Sequence, residues 1–202
     1  MALTTTQQND LYKLAVGMYG AAPGTVYMNE LATALGAGMS MTGIYNALSN
    51  SVSFQSQDSD FTNFSTDVQF ANQFVTNLVG GTLSVANFNF AVSFVLGQLN
   101  GGATRGAAMK SAIDALDGVN EADPNFGAAA ARFHNKIEVA KYYTETANGN
   151  STDLAVLRDV IDGVTQDVAT VGAAKNEIDA EAHTFLLTGA VDNLTGSVFD
   201  DT

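Results

Sequence analysis

The chain has 202 residues, 46% hydrophobic and 9% aromatic, enough apolar surface for a real core and too much for a disordered segment. Twenty-one acids against eight bases leave a net charge of −13, which removes the basic footprint that nucleic-acid binding needs and repels a bare anionic membrane. With no cysteine, disulfide staples and thiolate metal sites are excluded, and with only 14% charged residues the polar surface must be built from Thr, Ser, Asn and Gln.

In chain order, caps and periodicity predict nine helices. The N-terminal stretch MALTTTQQNDLYKLAVG lacks a basic segment followed by a long apolar run, so it does not read as a secretory signal peptide. No run reaches membrane-spanning length. Thr5 and Gln8 form a capping box for the first helix, with Leu11, Leu14, Ala15 and Met18 on one stripe. Gly20-Ala-Ala-Pro-Gly24 stops it. A second helix carries Tyr27, Leu31, Ala34 and Leu35, and Ser40 opens a third with Ile44, Tyr45 and Leu48. A polar loop covers Gln55 to Ser65. Thr66 opens the fourth helix, with Phe70, Phe74 and Leu78 at i, i+4 spacing, and Gly80-Gly81 breaks it. Phe88 to Leu99 make the fifth, and Thr104 caps the sixth, with Ala108, Ala112, Ile113 and Leu116. Asp123-Pro124 starts a long seventh helix running to about Thr146. The last two helices carry Leu154, Leu157 and Ile161, then Val168, Val171 and Ile178.

Two triplets of helices align. Leu35-Gly-Ala-Gly-Met-Ser40 matches Leu99-Asn-Gly-Gly-Ala-Thr104, in each case a helix-ending glycine followed by an N-cap hydroxyl. This suggests an internal three-helix repeat over residues 5–54 and 66–117. The expected architecture is all-α, an array of about nine helices over residues 1–182, ending in a short β segment. From His183 the pattern changes. Thr184-Phe-Leu-Leu-Thr188 has β character, and an acidic segment punctuated by Gly189 and Gly196 follows. We expect residues 183–202 to open a repetitive β region that continues past Thr202.

The stretch from Leu11 to Phe54 resembles a helical domain found near the N-termini of large bacterial surface proteins. Leu11-Tyr12, Pro23-Gly24, Tyr27, Leu35, Gly38, Ser40, Ser51 and Phe54 carry the resemblance. That domain often has an arginine in its first turn and a tryptophan in its second helix; this chain has neither. Phe133-His-Asn-Lys-Ile-Glu-Val-Ala-Lys-Tyr-Tyr143 is similar to a stretch that follows the repeats, and LLTGAVDNLTGSVFDDT is similar to a degenerate lead-in to RTX glycine-aspartate repeats. Together they resemble the N-terminal anchoring region of S-layer proteins and related RTX surface proteins of Gram-negative bacteria. The resemblance implies a secreted, cell-surface structural protein, exported by type I secretion and held to lipopolysaccharide O-antigen. It also implies calcium as the cofactor and lattice self-assembly through a further C-terminal region. An RTX adhesin or biofilm protein using the same domain for retention or spacing is the alternative, and an enzyme module of a type I secreted protein is a third class.

Candidate site residues follow from chemistry. Tyr19, Tyr27, Tyr45, Tyr142 and Tyr143 offer amphipathic rings for stacking on sugars, set against the reading that most tyrosines at helical spacing, Tyr12 included, are core residues. Asp192, Asp200 and Asp201 are the calcium candidates. Asp58 and Asp60, and the loop Asp117, Asn120, Glu121 and Asp123, are oxygen-rich but lack EF-hand spacing and read as turns and caps. His134, Lys136 and Glu138 lie close on the long helix, yet one nearby histidine without a fixed second acid argues against catalysis; Glu138 with Lys141 reads as a surface ion pair. No nucleophile elbow, Walker loop, HExxH or dinucleotide fingerprint occurs, so the chain reads as non-catalytic.

Overall fold

The computed structural model of the protein describes residues 3–182. The β run at Thr184–Thr188, His183 and the calcium candidates Asp192, Asp200 and Asp201 lie outside the described residues. Among the described residues the fold is all-helical, with ten α-helices. Helix α1 (Thr5–Leu14) runs directly into a π-helical turn, Ala15–Tyr19, and α2 (Gly24–Gly36) and α3 (Met41–Ser49) follow. A short α4 (Val52–Gln55) is the helix that periodicity did not reveal, since four residues are too few to show a stripe. Then come α5 (Asp67–Val79), α6 (Val85–Asn100), α7 (Arg105–Asp117) and α8 (Gly127–Lys141). A second π-helical turn, Tyr142–Thr146, extends α8 before α9 (Leu154–Asp162) and α10 (Ala169–Ala182).

Hydroxyl caps set most starts. Ser40, Thr66 and Thr104 each accept the N3 backbone N–H of the helix they open. The first capping box falls one residue earlier than expected, on Thr4 and Gln7. Both registers of TTTQQ satisfy the Thr-x-x-Gln spacing, and the chain adopts the earlier one. Asp123 does cap a turn, its Oδ1 accepting from Asn125 and Phe126, but regular helix begins only at Gly127.

The two aligned glycine corners are hydrogen-bonded alike. In the first, Met39 N–H donates to Ala34 O (3.1 Å) and Gly38 N–H to Leu35 O (3.0 Å); in the second, Ala103 N–H donates to Gln98 O (3.0 Å) and Gly102 N–H to Leu99 O (2.9 Å). These are Schellman closures, and the glycines sit at φ +92° and +90°, where a side chain is strained.

Helices α3 and α7 pack backbone against backbone at Gly106. A Cβ on Gly106 would lie 2.6 Å from the Tyr45 carbonyl carbon and 2.7 Å from the Asn46 nitrogen, so glycine alone allows this seam. The Thr104 hydroxyl fastens it by donating to Asn46 Oδ1. The polar loop between α4 and α5 is anchored by aromatic rings: Phe54 stacks on Phe61 (4.7 Å), Phe61 meets Phe70 (5.9 Å), and Phe70 stacks with Phe74 (6.2 Å). Arg105 lies over Phe70 and donates to Thr62 O, Ser65 O and Asp67 Oδ1, which fixes the loop to α7.

Candidate functional site

The π-helical turn after α1 rotates Tyr19 toward the start of α2, and Ala21, Ala22 and Pro23 turn the chain beneath it. Their small side chains leave a cleft of about 280 Å³ between α1, α2, α3, α4 and α9. Leu14, Leu31, Leu48, Leu154 and Leu157 make its floor and walls, while Tyr19, Tyr27, Glu30 and Ser53 supply its polar groups. An apolar concavity with a few convergent polar groups is the usual form of a small-ligand site.

Each polar group is held by a long-range contact or left open to solvent. The Tyr27 hydroxyl donates to Thr152 O (3.0 Å), which aims its ring along the wall, keeps 37% of the residue exposed and leaves the oxygen's lone pairs as acceptors. Tyr19 is half-buried with its ring edge against Phe54 (5.8 Å). Its carbonyl accepts from Arg158 Nε (2.9 Å), whose Nη2 also donates to Gln57 Oε1. Ala22 N–H donates to Leu157 O (2.9 Å) and Thr25 N–H to Gly149 O (2.7 Å), docking α9 and its preceding loop onto the start of α2. Glu30 is exposed and, among the described residues, in no ion pair.

Of the five tyrosines singled out from sequence, the structure brings Tyr19 and Tyr27 together here. Tyr45 and Tyr143 are corrected to core residues. Tyr45 is 1% exposed in the α3–α7 seam, where burial, and then Asp114, Asp10 and Asp117, raise its pKa well above the ordinary value. Tyr143 is fully buried, its ring against Gly149 so closely that no Cβ fits there. Tyr142 is half-buried: its hydroxyl donates to both Asp179 oxygens (2.7 and 2.8 Å), and Lys175 covers its ring at 5.3 Å. That hydrogen bond to Asp179 is the main cause of its raised pKa. Its ring is therefore engaged within the protein.

The oxygen-rich loops behave as turns. Asp58 Oδ1 accepts from Asp60 N–H, Asn120 Oδ1 from Ala122 N–H, and Asp117 pairs with Lys13 at 2.8 Å. Both ring nitrogens of His134 face protein groups other than Glu138: its Nδ1 lies 2.7 Å from Glu121 Oε1 and its Nε2 3.2 Å from Asp117 O. Glu138 pairs with Lys175 of α10 (2.7 Å) rather than with Lys141, which lies 5.8 Å above the Tyr12 ring. Among the described residues no group of three or more His, Asp or Glu is placed to hold a metal ion, and no helix is long and apolar enough to cross a membrane.

Sequence reasoning missed Glu30, Ser53, Arg158 and the α9 wall. Arg158 and Tyr19 are 139 residues apart, and nothing local in either segment announces their meeting. Compared with known protein families, with curated proteins and with solved structures, the chain matches none.

Proposed function

We propose that this is a non-catalytic anchoring domain of a bacterial surface-layer protein, which holds lipopolysaccharide O-polysaccharide in the cleft between α2 and α9. The observation that carries the reading is the pairing of Tyr19 and Tyr27 across an apolar floor, with Glu30 and Ser53 at the rim. A sugar residue presents C–H faces and hydroxyl edges. Tyrosine rings take the first, while the Glu30 carboxylate, the Ser53 hydroxyl and the Tyr27 oxygen take the second. The cleft lining contains no base, so a neutral sugar suits it best. Calcium would be bound in the region of Asp192, Asp200 and Asp201, and lattice assembly would belong to a further C-terminal region.

The test is binding of the fluorescently labelled chain to Gram-negative cells that bear O-antigen, to isogenic cells lacking it, and to the purified O-polysaccharide. Binding confined to O-antigen, weakened at least tenfold by Tyr27→Ala and retained in Tyr45→Phe, is the expected result. Equal binding to both cell types, or no effect of Tyr27→Ala, Tyr19→Ala or Glu30→Gln on polysaccharide binding by folded protein, would sink the reading.

A further inference from the structure

We propose that Arg132 and Lys136, one turn apart on α8, form a binding site for a carboxylate group. This site is separate from the cleft and does not depend on the glycan reading.

In so acidic a chain, bases find acids easily: Lys13, Arg105, Lys110 and Lys175 all sit in carboxylate ion pairs. Arg158 donates to Tyr19 O and Gln57, and Lys141 lies over the Tyr12 ring. Arg132 and Lys136 are different. Lys136 is only 8% exposed and, among the described residues, has no hydrogen bond or ion pair. Among the described residues, the sole acceptor of Arg132 is Leu78 O at 3.5 Å, near the limit of a useful hydrogen bond. Two adjacent cations, one on a largely buried side chain and neither in an ion pair among the described residues, are partly desolvated charges that a bound anion would neutralise.

Position explains why they are there without explaining what they hold. Leu78 lies in the last turn of α5, and Asp162 is the last residue of α9. Helix C-termini attract cations. Yet the α5 carbonyl takes only the long contact from Arg132, and Asp162 acts on both bases from beyond ion-pair distance. On the elements packed against α8, the charges acting on Lys136 are Arg132 from α8 itself and Asp162 from α9. Burial, then Arg132, lowers the Lys136 pKa to about 8 against the attraction of Asp162.

The same charges select the ligand. Two cations and one acid leave a single positive charge, which a monoanion neutralises and a dianion beside Asp162 overcompensates. The planar guanidinium fork of Arg132 matches the two oxygens of a carboxylate, and the ammonium supplies a further donor.

The test follows the Lys136 Cε resonance in the full chain labelled with ¹³C-lysine, titrated with pH in sodium acetate and in sodium chloride at equal ionic strength. Saturating acetate is expected to raise the Lys136 pKa by about one unit or more, as an opposite charge at contact distance does, while Lys110 and Lys175 stay put. Arg132→Gln should remove the response. Should that variant fail to fold, the acetate-against-chloride comparison on the unaltered chain decides alone. Identical titrations in the two salts overturn the site, and a larger response to phosphate than to acetate overturns the carboxylate assignment.

Discussion

The triplet α1–α3 and the triplet α5–α7 share their punctuation and differ in what they present. Each opens on a Thr-x-x-Gln capping box, Thr4 with Gln7 and Thr66 with Gln69. In each the first helical run stops at a left-handed glycine, Gly20 at φ 61° and Gly80 at φ 57°, and the next closes on the same Schellman corner. Each also lines a cleft, the first completed by α4 and α9. The first is rimmed by Tyr19, Tyr27, Glu30 and Ser53; the second, of about 240 Å³, is lined by Phe90, Phe94, Phe126 and aliphatic residues, with no polar side chain. Glu30 and Phe94 occupy matching places when the corners are superposed in sequence, as do Leu48 and Ala112. Glycines and hydroxyls hold the path of the backbone, while the positions between them are left to change chemistry. Two triplets can thus share their caps and corners and offer two different surfaces.

The largest effect is expected where the triplets meet. Gly106→Ala forces a Cβ into the α3 backbone and should destabilise the protein by about 3 kcal/mol, the upper range for overpacking, measured by urea unfolding. A loss below about 0.5 kcal/mol would mean the seam yields, and the two triplets would then have to be treated as independent units.

A second experiment asks whether both triplets respond together, through α8, which packs against α1, α5 and α7. The Lys136 pKa of about 8 lies below its ordinary value of 10.5, so between these limits the unfolded chain carries a proton that the folded chain lacks. Stability should therefore increase as pH rises from 8 toward 10, by about 2 kcal/mol, and that gain should be lost again as pH falls back to 8. Above pH 10 the trend reverses, because Tyr12 and Tyr45 have raised pKa values and the unfolded chain ionises first. Lys136→Met should remove the rise from pH 8 to 10 and make the protein more stable at pH 7. A profile unchanged by that substitution would refute the assignment.

The finest comparison is between the corners. A Cβ at Gly38 or at Gly102 meets nothing within 4 Å, so alanine there costs only backbone strain. Gly38→Ala and Gly102→Ala should each cost about 1 kcal/mol, and equally so, in thermal unfolding. Unequal losses would show that the likeness of the corners ends at their hydrogen bonds.

Much of this was legible in the residues themselves. Ser40, Thr66 and Thr104 announce helix starts because a cap is a local hydrogen bond, and Gly38 and Gly102 announce stops because a left-handed conformation is a local strain. What was not legible depended on partners distant in the chain. Nothing near Tyr45 or Tyr143 distinguishes a sugar-facing ring from a buried one; burial is decided by α7 for the first and by Gly149 for the second. The two π-helical turns have no sequence signal that periodicity could catch, yet one of them orients Tyr19. The polar composition of the α4–α5 loop hid its role, because Phe54, Phe61 and Arg105 fasten it from outside its most polar stretch.

The bond from Arg158 to the Tyr19 carbonyl also has a consequence in time. The wall of the cleft that carries the tyrosines leaves the ribosome well before the wall from α9. A nascent chain that has not yet reached Arg158 has tyrosines but no cleft, and so nothing to hold a ligand with. The proposed ligand could be engaged only after this stretch has been synthesised and folded, which would defer binding to a later stage in the life of the chain.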